Sequence, residues 1–326
     1  MKRLIAMLLG TTVGISAWSQ SAKSGLMEAN AALQAGEADK ALVLLYSLPQ
    51  PQAASAQAHN LRCRVFFALE QWDSAASECE QAVNLDGQTS DYHMWLGRAL
   101  GEKADRASFV TAYGLAKRTR AEFELAVQLN PRNAEALADL GEFYTSAPGV
   151  VGGGISKAQA VAAQLDKIDP PRAHELRGRI AAENKDCDGA EREFKQAIAV
   201  SPHPAFQWTT LASFYRKRER WNDMESALNC TMEAVERDRH AGVALYNGAS
   251  LLIKTRRNPA LAAKMLEAYL ASPAKTEEAP AFVAHMWLAR LNVQLGDTAS
   301  ARRERTAALA LANQYKPAQD FRDRSE

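Results

Sequence analysis

The chain has 326 residues, of which 47% are apolar, 7% aromatic and 24% charged, with a formal net charge of +1. That apolar share is ample for a buried core and excludes a largely disordered protein. A charge so near zero excludes binding that rests on a basic field, bulk nucleic-acid binding above all.

The first predicted element is an export signal over residues 1–19. Lys2 and Arg3 form a basic start, Leu4 to Ala17 a largely apolar run of 14 residues, and Ala17-Trp18-Ser19 sets small residues for cleavage before Gln20. That run is shorter than the ~20 residues a membrane-crossing helix needs. No integral span is therefore expected in the mature chain, the alternative being a retained anchor. Removal of Lys2 and Arg3 lowers the 39 basic residues to 37 against 38 acidic ones.

Beyond the signal, small residues recur at a fixed step. Ala29, Cys63 and Gly97 are 34 residues apart, and Gly178 and Ala212 repeat the interval. Such a period marks stacked helical hairpins. The first unit holds Ala29, Gly36 and Ala41, and the second Cys63, Ala75, Cys79, Ala82 and Gly87. In the third, over 90–131, Gly97 is followed by Phe123, Ala126 and Pro131 after ten extra residues. This insert, Gly101 to Arg120, keeps helical composition and reads as longer helices. Phe109, Val110, Tyr113 and Leu115 are expected to pack on the next hairpin. Lys103, Arg106, Lys117, Arg118 and Arg120 form a basic face that is either solvated or suited to anionic lipid.

The fourth unit has Gly141, Ala158 and Pro170, with a long glycine-rich loop at 147–157. Its glycines suggest a phosphate loop, but Ile155 follows Gly154 where that motif needs lysine. A structural turn, with Ser156 capping the next helix, is expected instead. The fifth unit is the cleanest: a helix over 172–184, a turn at 185–188, and a helix over 189–200 stopped by Ser201-Pro202. Gly178, Ala190 and Ala197 are small where its two helices cross. The sixth runs through Trp208 to Tyr215, Trp221 and Met224, the seventh through Gly248, Ala262 and Pro273, and the eighth through Ala289, Gly296, Ala301 and Ala308. His93 to Arg98 (His-Met-Trp-Leu-Gly-Arg) is echoed by His285 to Arg290 (His-Met-Trp-Leu-Ala-Arg). Arg302, Arg303, Glu304 and Arg305 suit an open solenoid end, and 316–326 reads as a flexible tail.

These residues resemble tetratricopeptide repeats. That family has small residues at the eighth, twentieth and twenty-seventh places of the repeat, a large apolar residue at the twenty-fourth and proline near the thirty-second. Gly178, Ala190, Phe194, Ala197 and Pro202 match all five. The resemblance covers about 24–315 and implies an all-α fold, a right-handed α-solenoid superhelix of about eight hairpins spanning 20–315. It also implies a concave groove lined by the first helix of each hairpin. The ninth place, which faces that groove in the family, holds Asn30, Arg64, Arg98, Glu142, Arg179, Ser213, Ala249 and Arg290. With Asn60, Arg216 and Lys217 nearby in the same frame, the candidate partner-binding set is Asn60, Arg64, Arg98, Arg179, Arg216, Lys217 and Arg290. Guanidinium forks match carboxylates, so the expected partner is a protein or peptide with acidic groups. The alternative is that these arginines pair with Glu142, Glu175 or Glu183, or are simply solvated.

The same frame sets Cys63 and Cys79 on facing helices of one hairpin, either as a disulfide or as two buried thiols. Cys187 and Cys230 are left unpaired. His59, His93, His174 and His285 share one place in four of the repeats, too far apart to ligate a common metal, so packing is their expected role and no metal or cofactor is expected. No catalytic motif occurs. The reading is a non-enzymatic protein-interaction scaffold, periplasmic or secreted. Its alternatives are an envelope-assembly or secretion accessory factor, and an enzyme or carbohydrate-handling protein with a site on the inserts.

Overall fold

The computed structural model describes residues 24–322; the predicted export signal lies outside the described residues. Sixteen helices form eight antiparallel hairpins. They are α1 (24–34) with α2 (Ala38–Tyr46), α3 (Ala56–Ala68) with α4 (Trp72–Leu85), α5 (Ser90–Arg106) with α6 (Phe109–Leu129), and α7 (Ala134–Ser146) with α8 (Ile155–Leu165). Then follow α9 (Pro170–Glu183) with α10 (Cys187–Val200), α11 (Ala205–Lys217) with α12 (Trp221–Arg237), α13 (Val243–Thr255) with α14 (Pro259–Ala271), and α15 (Ala281–Gln294) with α16 (Thr298–Leu311). A short α17 (Lys316–Gln319) ends the described chain. The architecture is an all-α solenoid.

Local chemistry sets the helix ends. Side chains of Ser55, Asn133, Asp169, Asp186, Asn258 and Asp297 accept hydrogen bonds from otherwise orphaned N–H groups at helix starts. Pro170 and Pro171 open α9, where a missing N–H costs nothing. Within hairpins, glycine on the first helix admits a bulky side chain from the second. A Cβ at Gly97 would stand 2.5 Å from Phe123, one at Gly178 2.8 Å from Phe194, and one at Gly248 2.3 Å from Met265. These distances are below van der Waals contact, so the periodic small residues are the places where axes approach.

The histidines share a role that their spacing did not reveal. Nδ1 of His59, His93, His174 and His285 lies 2.6–2.7 Å from Oε2 of Glu78, Glu122, Glu193 and Glu304, on the second helix of the same hairpin. Three pairs are 19 residues apart and the His93 pair is 29 apart, so the ten-residue insert lengthens the hairpin without disturbing its clasp. The Glu122 carboxylate holds His93 above its ordinary pKa, against the effect of burial. Cys63 and Cys79 are joined in a disulfide across α3 and α4, with Cα atoms 5.2 Å apart.

Several local expectations are corrected. Phe109 and Val110 do not pack on the next hairpin but are 88% and 81% exposed, because α5 and α6 outrun their neighbours; Leu115 does pack inward. Ser156 does not cap α8: the helix begins at Ile155 after Gly154, which supplies no side-chain bond. The glycine-rich loop is a packing device. Gly152 has φ +96° and leaves no room for a Cβ beside the Arg120 guanidinium, while Gly153 lies against the Ala147 carbonyl. The loop thus packs against α6 of the third hairpin through Arg120.

The largest correction concerns the ends. The stack is not an open pile of layers. Residues of α1, α2 and α3 share one hydrophobic core with residues of α10 to α17. Ala281 abuts Gly36, Phe282 meets Tyr315 edge-on at 5.0 Å between ring centroids, and the Asn313 N–H donates to Asp39 at 2.7 Å. The polar run on α16 does not face an open end: Arg305 donates to the Ala318 carbonyl at 2.8 Å, folding the start of the tail onto α16. Tyr315 and Ala318 are buried, so residues up to α17 do not fray.

Phe282→Ala should cost about 3–5 kcal/mol, read by denaturant unfolding. Hydrogen exchange should show α1 and α2 losing protection in that variant, although they lie over 200 residues away in sequence; unchanged exchange there would refute the shared seam. Separately, peptide mapping without reductant should find Cys63 and Cys79 bridged and Cys187 and Cys230 free. Replacing both bridged cysteines by alanine should lower stability by about 3 kcal/mol, as expected for a short closed loop.

Candidate functional site

The first helices of six successive hairpins, α3, α5, α7, α9, α11 and α13, line a groove of two adjoining cavities. On α3 and α5, Arg64 and Arg98 flank Trp95, their guanidinium carbons 5.5 and 4.8 Å from the centroid of its ring system. Both arginines are already engaged. Arg64 forms a two-pronged pair with Glu277, Nε to Oε1 and Nη2 to Oε2 each at 2.8 Å, and Nη2 also donates to Asn30 at 3.2 Å. Arg98 donates to Asp139 at 2.6 Å, Glu278 at 2.7 Å and Glu135 at 3.3 Å. Gln34 also hydrogen-bonds Glu277. The two glutamates belong to the irregular segment 272–280 between α14 and α15, which reaches across the groove.

Burial governs the chemistry of these acids. It pushes Asp139 up to about 6, although the adjacent Arg98 charge and hydrogen bond pull the other way. Burial likewise raises Glu277, opposed by Arg64, and raises Glu175 on α9, opposed by a hydrogen bond from Gln207.

The rest of the groove is open. A cavity of about 740 Å³ is faced by α7, α9, α11 and α13, among them Glu142, Arg179, Gln207, Ser213, Asn247 and Lys254. A second, of about 630 Å³, lies under segment 272–280 beside Arg64 and Trp95, and both are lined by Asp169 and Arg172. In the open reach Arg179 pairs with Glu142 at 2.9 Å and stays 40% exposed. Gln207 donates to Glu175 at 2.8 Å and leaves its own Oε1 buried with no partner among the described residues.

The other candidate residues are dispersed. Asn60 is buried, its Nδ2 without a partner among the described residues. Arg216 and Lys217 lie in the last turn of α11, Lys217 exposed. Arg290 is exposed on α15, in a cleft of about 80 Å³ with Arg256, Arg257 and Trp287. The structure therefore brings together Arg64 and Arg98 in a closed contact, and sets Arg179 alone in the open cavity. Missed by the sequence reading were Glu277, Glu278, Asp139, Trp95, Arg172 and Gln207. One available signal was loop length: 272–280 has nine residues, whereas the connections after α4, α6, α8 and α10 have four.

Comparison with solved structures bears on the fold. A thermophilic TPR protein of Thermus thermophilus superposes with a TM-score of 0.50 at 18% identity, covering 59% of this chain and 98% of its own. The fold is that of a tetratricopeptide-repeat solenoid. The C-terminal part of a TPR repeat-containing protein from Cytophaga hutchinsonii matches 90% of this chain and 98% of its own, with a TM-score of 0.42 and 14% identity. No protein-family model matches the sequence, and no relative was found among curated proteins. Among the described residues, no helix is long and apolar enough to cross a membrane, and no three His, Cys, Asp or Glu side chains gather as metal ligands.

The Asp139 carboxyl should titrate with a midpoint near 6 by carbon NMR. Between its ordinary value of 3.8 and about 6 the folded chain binds a proton that the unfolded chain has released. Its contribution to stability therefore falls as pH rises through that window. Arg98→Met should raise the midpoint further by removing the opposing charge. A midpoint below 4 would contradict the dominance of burial.

Proposed function

We propose that this protein is a non-enzymatic interaction scaffold, exported to the cell envelope or beyond, which holds an extended acidic segment of a protein partner in its concave groove. The observation that carries the reading is the open cavity along α7, α9, α11 and α13. Its walls supply guanidinium, amide and hydroxyl groups from four successive hairpins, a ladder suited to an extended backbone and its side chains. Arg179 and Arg172 would meet carboxylates there. Arg64 and Arg98 support the chemistry by example, since the chain's own irregular segment lays Glu277 and Glu278 against them. On this reading those two arginines close the solenoid and Arg179 serves the partner. Export is supported by the basic and apolar start of the sequence, and by the Cys63–Cys79 bridge, since disulfides persist in oxidising compartments.

A displayed library of random peptides should enrich acidic sequences on the protein. A photo-crosslinking residue placed at Ser213 should capture them, whereas one at the exposed Lys264 on α14 should not. Arg179→Glu should weaken such peptides about tenfold, the order expected for losing one charge-assisted contact. Equal retention of acidic and neutral peptides, or capture only at 264, would sink the groove reading.

A further inference from the structure

The third hairpin is the longest of the solenoid. Its helices have 17 and 21 residues, against 13 and 11 in the hairpin that follows. Shared between two antiparallel helices rising ~1.5 Å per residue, the insert lifts the tip about 7 Å beyond its neighbours. The turn at Ala107 and Ser108 forms that tip, and α6 starts on it with apolar side chains.

Phe109 and Val110 are 88% and 81% exposed, and Tyr113 is 44% exposed. The adjoining turn, which packs on α6 through an Arg120 bond to the Val151 carbonyl, presents Val150 at 75% exposure. Leaving such side chains in water forfeits the burial that drives folding everywhere else in the chain. Around them the insert 101–120 carries five basic residues against two acidic ones. Lys103, Arg106 and Arg118 pair with Asp73, Glu102 and Glu80. Lys117 instead has its ammonium 5.4 Å from the Tyr113 ring centroid and no carboxylate partner among the described residues.

The shape selects the occupant. A stable protein interface buries about 800 Å² on each side over 20 or more residues, which three exposed side chains on a convex tip do not offer. A bilayer accepts a narrow wedge. It takes aliphatic and phenyl groups into its acyl boundary, tyrosine at the headgroups and lysine among the phosphates. We propose that the tip of the third hairpin is a membrane-docking wedge for anionic lipid. Phe109 and Val110 enter the acyl boundary, and Tyr113 and Lys117 settle at headgroup depth. The proposal is independent of the groove and of its partner.

The test is co-sedimentation of the mature chain with vesicles of phosphatidylethanolamine and phosphatidylglycerol, and with vesicles of phosphatidylcholine alone. Binding is expected to the anionic vesicles, weaker to the neutral ones and reduced by high salt. A Phe109→Ser, Val110→Ser double variant should partition at least about tenfold less. Its circular dichroism should be unchanged, because both side chains are exposed. Lys117→Glu should also weaken binding, and Arg179→Glu should not. The proposal is overturned if neither vesicle binds, if the double variant binds as the parent does, or if a crosslinker at Phe109 captures a protein while vesicles are ignored.

Discussion

A helical hairpin in a stack carries two apolar faces, and only the inner hairpins find a neighbour for both. The curvature of this solenoid supplies the missing neighbours from within the chain. Phe282 and Tyr315 in the last hairpin and its tail, and Leu26, Leu33 and Leu45 in the first, belong to one buried cluster. No polar cap is needed at either end, and α16 can spend Arg305 on the Ala318 carbonyl rather than on water. The remaining hairpins complete the circuit through two smaller cores, one around Trp95 and one around Leu137 and Leu165.

Closure decides the electrostatics of the interior. Once segment 272–280 crosses the groove, Arg64 and Arg98 are largely removed from solvent, and an uncompensated buried guanidinium is costly. Glu277, Glu278 and Asp139 meet that need, and their own burial raises the pKa of Asp139 and Glu277. The arginines that the repeat pattern marks as one column thus part into two groups. Two are held in the closing contact, whereas Arg179 keeps a single pair with Glu142 and much of its exposure, and Arg290 stays exposed on α15.

The histidines make the complementary point. Four of them, equally placed in four repeats, read as packing residues when the sequence is taken alone. Each faces a glutamate of its own hairpin. The pairing survives a ten-residue extension because the extra residues lengthen both helices away from it. In units two and five an arginine one turn on, Arg62 or Arg177, donates to the same glutamate at 2.9 or 3.2 Å. Histidine, arginine and glutamate therefore form a local clamp between the helices of a hairpin.

The hairpins were legible because the residues that pack within a repeat lie within some 34 positions of one another. Gly97 opposite Phe123 and Gly178 opposite Phe194 leave their mark as a period of small residues. The same locality made the lengthened third hairpin readable, and the resemblance to the repeat family set Cys63 and Cys79 face to face. The exposure of Phe109 was not, since it depends on where the neighbouring hairpin stops. Nor could spacing tell that Glu277 reaches Arg64, 213 residues away. Their meeting depends on small rotations accumulated over every interface between them, a sum that no single repeat carries in its sequence. The repeat and its helix pairs were determined by the sequence alone; the closed seam, the occupied arginines and the open reach of groove were decided only when all eight hairpins packed.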